Sequence, residues 1–325
     1  MMSGVYPSLL ALALMIPGAA AVPQDAPPAP PAPPADEASV AMTEVAERMT
    51  VPVRIADAGP YRFVIDTGSE RTVISRQLAH RLGLPAGRDV TVVAMSGSTR
   101  EATVMIPSLR LSSVPSIGVI QAPALDAGHL GGMGLLGIDT LQAHRITIDF
   151  DTGTMAVAPS VKRRQTEPNR GDEVVVRAKS LFGQLIVTDA DVDGRAVRVV
   201  LDTGSPISVG NVALQKLMRR YTSRFEPLTM TSATGGIVQT QYAHAGRLRV
   251  GGIAFQDMPI AFADVPPFHR FGLEKRPAML LGMNALKMFR RVQIDFPNRE
   301  VRFLLPRNVD RSRACQTSIN GACMG

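Results

Sequence analysis

The chain has 325 residues, 45% of them hydrophobic, which is enough to form two cores of about 100 to 150 residues each. Its body contains no apolar run of about 18 residues, which excludes a predicted transmembrane helix there. The net charge of +7 comes from scattered Lys and Arg residues without a nucleic-acid-binding motif, so we expect a solvated basic surface and no nucleic-acid partner.

The N-terminal residues predict an exported protein. An apolar segment at residues 9–16 is followed by small residues at 17–21, a pattern typical of a signal peptide that ends at residue 21. The alternative is an apolar terminus with no role in export. Residues 22–38 are rich in Pro and Ala, which favours an extended spacer. We therefore expect a periplasmic or secreted protein with no stable membrane insertion.

Residues 39–159 predict a first β-rich domain. Strands are expected over residues 39–65, with a turn at Ala58-Gly59-Pro60, and the last strand runs into Asp66-Thr67-Gly68-Ser69, here called the first acid turn. Ser75 is expected to cap a helix over residues 76–82. The further elements expected in this domain are a hairpin with its tip at residues 95–99, strand over 109–121, a glycine-rich loop over 128–134, a short helix capped by Asp139, and a final hairpin over 145–158.

The second half of the chain repeats the first. An offset of 136 residues relates the first acid turn to Asp202-Thr203-Gly204-Ser205, here called the second acid turn. Leu135-Leu136-Gly137 returns as Leu280-Leu281-Gly282 after about nine additional residues. The duplication predicts a linker over residues 160–172, a second domain over 173–308 with a helix at 211–220 and a hairpin tip at 232–236, and a polar tail over 309–325.

Two acid turns on equivalent domains can face each other across a pseudo-twofold axis. Two close carboxylates cannot both ionise cheaply, so such a pair shares one proton. One acid can then deprotonate a water molecule while the other donates a hydrogen bond to a substrate carbonyl. The roles expected of the neighbouring residues are close backbone approach for Gly68 and Gly204, hydrogen bonds to the opposite domain for the hydroxyls of Thr67 and Thr203, and hydrogen bonds to the outer carboxylate oxygens for Ser69 and Ser205.

This combination of motifs resembles the aspartic proteases, and the retropepsin-like members most closely. The shared features are an apolar strand before Asp-Thr-Gly-Ser, a hairpin about 30 residues further on, and apolar-apolar-Gly before a short helix, over roughly residues 45–158 and 174–305. The resemblance implies an all-β fold of two duplicated, closed β-barrel domains, each with a short helix, related by a pseudo-twofold axis.

The resemblance also implies site residues. Asp66 and Asp202 would be the catalytic pair, and the two Leu-Leu-Gly elements would pack beneath the acid turns. The implied flap residues over the substrate are Met95, Ser96, Gly97 and Ser98 in the first hairpin and Ser232, Ala233, Thr234 and Gly235 in the second.

The sequence departs from the family pattern in several places. Retropepsins usually build the site from two identical chains, whereas both acids lie here in one chain, so we expect a monomer. Glu70 follows the first acid turn but Pro206 follows the second, which predicts asymmetric substrate binding, and neither hairpin tip carries a tyrosine. We expect an aspartic endopeptidase that acts on peptide or protein substrates without a cofactor or a metal. The alternative is a non-catalytic envelope module that binds a peptide or polymer in the same cleft.

Three other motifs are not expected to take part in catalysis. Asp151-Thr152-Gly153 lies where the second copy has a hairpin turn, in which Asp and Gly are favoured for backbone reasons. Gly132-Met133-Gly134-Leu135-Leu136-Gly137 matches a dinucleotide-binding pattern by letter but lacks a strand-helix-strand context. Cys315 and Cys323 have no metal or redox spacing, and a disulfide between them would close only the tail.

Overall fold

Strands dominate the structure, a computed structural model that describes residues 39–41, 43–45, 48–111, 116–163, 172–220 and 222–306. The predicted signal peptide, spacer and polar tail with its two cysteines, and most of the predicted linker, lie outside these residues. Strand accounts for 52% and helix for 12%, so the fold is all-β, as predicted. None of the helices in the described part of the chain is long and apolar enough to cross a bilayer.

The described residues of the first half form thirteen strands and three short helices. The strands are β1 (Ser39–Ala41), β2 (Thr43–Val45), β3 (Arg48–Ile55), β4 (Ala58–Ile65), β5 (Val73–Ser75), β6 (Val90–Ala94), β7 (Gly97–Glu101), β8 (Thr103–Ile106), β9 (Leu109–Leu111), β10 (Ile120–Leu125), β11 (Gly134–Leu136), β12 (His144–Asp149) and β13 (Thr154–Pro159). The helices are α1 (Arg76–Arg81), α2 (Ala127–Leu130) and α3 (Ile138–Leu141).

The second half repeats this order with twelve described strands and three helices. The strands are β14 (Glu173–Leu181), β15 (Gln184–Val187), β16 (Ala190–Val192), β17 (Arg195–Ala196), β18 (Arg198–Leu201), β19 (Ser208–Gly210), β20 (Glu226–Thr231), β21 (Ile237–Val250), β22 (Ile253–Phe262), β23 (Ala278–Leu281), β24 (Arg291–Asp295) and β25 (Glu300–Leu304). The helices are α4 (Val212–Met218), α5 (Pro266–Arg270) and α6 (Met283–Leu286).

Side-chain capping begins the two equivalent helices that follow the acid turns. The Ser75 hydroxyl accepts a hydrogen bond from the N–H of Leu78 at 3.2 Å, and Asn211 Oδ1 accepts one from the N–H of Leu214 at 2.9 Å. Each bond satisfies one of the N–H groups that a helix start leaves unpaired. The helices predicted at both positions, and the Ser75 cap, are therefore confirmed.

In each half the strand that leads to the acid pairs in parallel with the Leu-Leu strand. β4 pairs with β11, with Val64 opposite Leu135, and β18 pairs with β23, with Val200 opposite Leu280. β11 and β23 in turn pair antiparallel with β5 and β19, the strands that follow the acid turns. Each acid turn is therefore held between two strands that a third strand joins.

A six-stranded run of one sheet joins the two halves, in the order β1-β13-β12-β24-β25-β14. At its centre β12 pairs antiparallel with β24, with Ile146 opposite Ile294 and Ile148 opposite Val292, and all four side chains are buried. β1 pairs with β13 on the outer side of the β12–β13 hairpin, and β14 pairs with β25 on the outer side of the β24–β25 hairpin. The halves thus share a hydrogen-bonded sheet as well as a hydrophobic core, which spans both of them.

The additional residues of the second half lie mainly before its Leu-Leu strand. Ala124 in β10 pairs with Ile74, and Phe262 in β22 pairs with Gly210, so Ala124 and Phe262 are equivalent. Eleven positions lead from Ala124 to Leu135, whereas eighteen lead from Phe262 to Leu280. The longer segment contains α5, which contacts β6 of the first half.

Three local predictions are wrong in detail. The turn between β3 and β4 lies at Ala56-Asp57, and Ala58-Gly59-Pro60 belongs to β4, because strand pairing continues as far as Ile55 opposite Ala58. The first hairpin turns at Met95-Ser96, since Gly97 already pairs with Ala94. The glycine-rich segment contains α2, because the Asp126 carboxylate caps it by accepting from the N–H of Gly128 at 2.9 Å.

Candidate active site

The two acids occupy the same position in each half, directly after a buried strand. The N–H of Asp66 donates to the carbonyl of Leu136, and the N–H of Asp202 donates to the carbonyl of Leu281, each at 3.0 Å. These bonds tie each acid to the end of the Leu-Leu strand, as the resemblance implied.

The threonines of the two acid turns hold the halves together. The Thr67 hydroxyl donates to the carbonyl of Leu201 at 2.9 Å, and the Thr203 hydroxyl donates to the carbonyl of Ile65 at 2.8 Å. Each hydroxyl also accepts a hydrogen bond from the backbone N–H of the opposite threonine at 3.1 Å. Both threonines are buried. The predicted bonds to the opposite domain are present, and they fix the two turns relative to each other.

The glycines bring the two carboxylates together. The N–H of Gly68 donates to Asp66 Oδ1 at 2.9 Å, and the N–H of Gly204 donates to Asp202 Oδ1 at 3.0 Å. A Cβ on Gly68 would lie 2.7 Å from Asp202 Cγ, and a Cβ on Gly204 would lie 2.3 Å from Asp66 Cγ. Each glycine therefore touches the carboxylate of the opposite half, and a side chain there would displace it. Both carboxylates belong to one site.

The serines of the acid turns do not play the predicted role. The Ser69 hydroxyl donates to the carbonyl of Arg71 at 2.8 Å, and the Ser205 hydroxyl donates to the carbonyl of Ile207 at 2.7 Å. A hydroxyl has a single hydrogen to donate, so these bonds remove the expected donation to the carboxylates. The serines instead stabilise the backbone just after each turn.

A second pair of polar residues supports the turns, and its role was missed at the sequence level. Asp139 Oδ1 accepts from the N–H of Thr72 at 2.8 Å and from its hydroxyl at 2.7 Å. Asn284 Oδ1 accepts from the N–H and the hydroxyl of Ser208 at 2.9 and 2.8 Å. The prediction that Asp139 caps its helix is wrong, because Gly137 is the N-cap and the carboxylate is engaged by Thr72. The matched positions of Thr72 with Ser208, and of Asp139 with Asn284, in the two copies could have indicated this support.

The two hairpins, β6–β7 and β20–β21, each reach the opposite half. Met95 packs against a cluster of the second half that includes Val200 and Leu280. Ala233 packs against a cluster of the first half that includes Val64 and Leu135. The tips also meet each other, since Ser96 Oγ lies 3.3 Å from Thr234 Oγ1. The hairpins therefore cover the acid turns from both sides.

Only some of the predicted flap residues line the cleft beneath the hairpins. Met95, Ser232 and Ala233 line it, whereas Ser96, Gly97, Ser98, Thr234 and Gly235 do not. Gly235 instead lies against the His129 ring, where a Cβ would come within 2.5 Å of Cε1. Sequence reasoning placed the contacts at the tips, but strand residues of both hairpins contribute more of the wall. These strand residues are Val92, Val93, Ala94, Leu228, Thr229, Met230 and Thr231.

The cleft has a volume of about 530 Å³ and contains both acids. Apart from Asp66 and Asp202, the described residues that line it carry no charge, and most of them are apolar. Asp202 is 8% exposed and Asp66 is half-buried, so the two acids are not equally open to water. In the part of the chain that the structure describes, no three His, Cys, Asp or Glu residues form a group that could hold a metal ion. The cleft suits an extended, mainly apolar chain that crosses an acid pair.

A cluster at the edge of the cleft joins α5 to the first acid turn. Arg270 Nε lies 3.2 Å from Glu70 Oε1, and the guanidinium lies 4.0 Å from the centre of the Phe182 ring. Phe182 in turn lies 6.4 Å from Phe271, which lines the cleft. Because Pro206 replaces Glu70 in the second half, this contact has no symmetric counterpart. The contacts around the two acid turns are thus asymmetric, and asymmetric substrate binding stays a prediction.

The third Asp-Thr-Gly sequence is a surface turn, as predicted. Asp151-Thr152-Gly153 joins β12 to β13, and Asp151 Oδ2 lies 2.7 Å from Arg290 Nε. Burial raises the pKa of the neighbouring Asp149, but the N–H and hydroxyl of Thr152 and the guanidinium of Arg291 outweigh burial and hold this pKa below its usual value. These contacts stabilise the turn between β12 and β13.

Comparison with known proteins agrees with this geometry. A family model described as aspartyl protease matches residues 51–140 and 188–285, together more than half of the chain. The chain belongs to the aspartyl protease family. Each matched region contains one acid turn, one hairpin and one Leu-Leu-Gly element, so the family pattern is present twice. Among curated proteins, none matches the sequence of this aspartyl protease family member.

Proposed function

We propose that this protein is a single-chain, retropepsin-like aspartic endopeptidase in which Asp66 and Asp202 form the catalytic pair. The observation that carries the proposal is the reciprocal hydrogen bonding of Thr67 and Thr203, which positions the two acid turns next to each other. The glycine N–H groups on the carboxylates and the cleft that contains both acids support it further. We also propose that the protein is exported and acts as a monomer, because the N-terminus has the signal pattern and one chain supplies both acids.

The proposed reaction is hydrolysis of a peptide bond by an activated water molecule. One ionised carboxylate takes a proton from water as the oxygen attacks the scissile carbonyl carbon, while the protonated partner hydrogen-bonds to the carbonyl oxygen. As the resulting tetrahedral species collapses, its C–N bond breaks and the leaving nitrogen takes up the proton that the first carboxylate removed from water, which restores the original protonation of the pair. Burial beneath the hairpins favours a single proton shared between the two acids, because two charges cannot be solvated there cheaply.

Cleavage of reduced, alkylated casein between about pH 3 and 7 tests the proposal. Asp66→Asn and Asp202→Asn are each expected to lower kcat by about 10² to 10⁴-fold, which is the usual contribution of a general acid or base. Asp151→Asn is the matched control, since it alters the same Asp-Thr-Gly sequence in a surface turn and is expected to retain activity.

Two results would contradict the proposal. One is an intact, folded wild type that cleaves nothing over this range, and the other is full activity in Asp66→Asn. Peptide binding without cleavage would favour the alternative, a non-catalytic module that binds peptide or polymer in the same cleft.

A further inference from the structure

One buried polar side chain in the cleft is not used by the proposed mechanism. Gln184 begins β15, is 1% exposed and lies on the wall of the cleft next to the first acid turn. The two residues before it, Phe182 and Gly183, have φ values of +51° and +86°. A Cβ on Gly183 would lie 2.3 Å from Ile138 Cγ2, so the backbone here is packed against α3. The backbone that leads into Gln184 is therefore held in place by packing.

The hydrogen bonds of Gln184 define which amide atom is free. Gln184 Nε2 donates to the carbonyl of Gly68. A carbonyl oxygen can only accept, so the atom that contacts it must be the amide nitrogen. Gln184 Oε1 is then the remaining polar atom, and it is buried with no hydrogen-bond partner among the described residues. Buried acceptors are almost always paired, so an unpaired one in a binding cleft points to a donor on the ligand.

The equivalent position in the first half cannot offer the same acceptor. Ile186 pairs with Val200 as Thr50 pairs with Val64, which makes Arg48 the counterpart of Gln184. An arginine side chain has donors but no acceptor. The sequence therefore breaks the symmetry of hydrogen-bonding chemistry at this pair of positions.

We propose that Gln184 Oε1 accepts a hydrogen bond from one main-chain N–H of a peptide bound in the cleft. An extended peptide presents N–H groups at regular intervals, and these are the donors that an apolar substrate retains. Because the residue equivalent to Gln184 is an arginine, which has no acceptor, Gln184 also favours one of the two peptide directions that the pseudo-twofold axis would otherwise make alike. The inference rests on the proposed peptide ligand but does not require that the ligand be cleaved.

Peptide binding to the full chain that carries both Asp66→Asn and Asp202→Asn tests the inference, because a chain without the two acids is not expected to cleave the peptide probe. The probe is a blocked apolar octapeptide, acetyl-Ala-Val-Leu-Phe-Val-Leu-Ala-Lys-amide, with a series in which each main-chain N–H is replaced in turn by an ester oxygen. Calorimetry is expected to show one ester that binds about tenfold more weakly than the others, the loss of one hydrogen bond in a buried site.

Variants at Gln184 separate a ligand contact from a structural role. Gln184→Met is expected to weaken the parent peptide about tenfold and to abolish the difference at the sensitive ester. Gln184→Glu, assayed at about pH 3 where a carboxyl group with the ordinary Glu pKa is protonated, retains both a donor for Gly68 and an acceptor, and is expected to restore the difference. Gln256→Met is the control, because Gln256 is exposed on β22 and outside the cleft.

Three outcomes would overturn the inference: no binding of the octapeptide, unchanged affinity in Gln184→Met, or an equal loss for the parent and every ester. The last result would mean that Gln184 only supports the Gly68 turn. Casein cleavage by the wild type is measured separately, so failure of the endopeptidase proposal is distinguished from failure of this one.

Discussion

The reciprocal threonine bonds predict a specific loss of stability when one hydroxyl is removed. Thr203→Val replaces the hydroxyl with a methyl group of nearly the same size, so packing changes little. It leaves the carbonyl of Ile65 without its 2.8 Å donor and the N–H of Thr67 without its 3.1 Å acceptor. Both groups are buried, so water cannot replace the lost partner without opening the contact between the halves.

The size of the loss follows from the two unpaired groups. Each buried donor or acceptor left without a partner costs about 1 to 3 kcal/mol, so Thr203→Val is expected to lower the free energy of unfolding by about 2 to 6 kcal/mol. Thr67→Val leaves two equivalent groups unpaired and should cost a similar amount. The double variant is expected to lose less than the sum, because opening the contact once exposes both sets of groups.

Guanidinium unfolding of the wild type, both single variants and the double variant measures these values. Thr91→Val is the control, since Thr91 is exposed on β6 and its substitution should change stability by less than about 0.5 kcal/mol. If the free energies of unfolding of Thr67→Val and Thr203→Val both lie within about 0.5 kcal/mol of the wild-type value, the threonine bonds do not hold the two turns together. Strict additivity in the double variant would show that the two sets act independently.

Three further predictions concern the site and its support. Gly204→Ala would place a methyl carbon 2.3 Å from the opposite carboxylate carbon, so kcat for casein should fall about 100-fold. Gly118→Ala is the control, because a Cβ there meets nothing within 4 Å and activity should be retained. Equal rates in the two variants would contradict the close approach of Gly204 to the carboxylate. Ala233→Asp puts a charge into an apolar cluster and should raise KM for casein about tenfold. Ser98→Asp adds the same charge at an exposed position of the other hairpin and should leave KM unchanged. An equal rise in both variants would mean that the added charge, and not its position in the cluster, weakens substrate binding. The pKa of Asp149 is lowered on folding, so its ionised form stabilises the protein above the ordinary Asp range near pH 4, and this contribution is lost as pH falls through the folded pKa. Asp149→Asn should therefore lower the unfolding midpoint at pH 6 but not at pH 2, and an equal loss at both values would refute the assignment.

The duplication made much of the site predictable. Because Asp66 and Asp202 share a register with the threonines and glycines around them, a symmetric pair could be expected before any contact was known. The bonds of Thr67 and Thr203 to the opposite half then follow, since a pseudo-twofold axis makes them reciprocal. Repetition supplies long-range information that local patterns lack.

Several side-chain contacts could not be predicted from the sequence, because they depend on the three-dimensional geometry of the site. A serine hydroxyl has several acceptors within reach, and in Ser69 it takes the carbonyl two residues on rather than the carboxylate. Asp139 is of a residue type that often caps helices, but its carboxylate accepts from Thr72, which lies 67 positions earlier in the chain, just before β5. Gln184 begins an ordinary buried strand, and only the packing of the two halves places it in the cleft. Local propensity does not encode which half a side chain will meet.

The sheet shared by the two halves has a consequence for a nicked form of the protein. Two polypeptides, one ending at Arg163 and the other beginning at Asp172, would expose complementary strand edges at β12 and β24. Their reassociation would rebuild the acid pair by fragment complementation. The intact chain supplies the partner half at an effective concentration on the order of millimolar, and a cut removes that advantage. A cut between Arg163 and Asp172 would thus make the integrity of the site depend on the concentration of the two fragments.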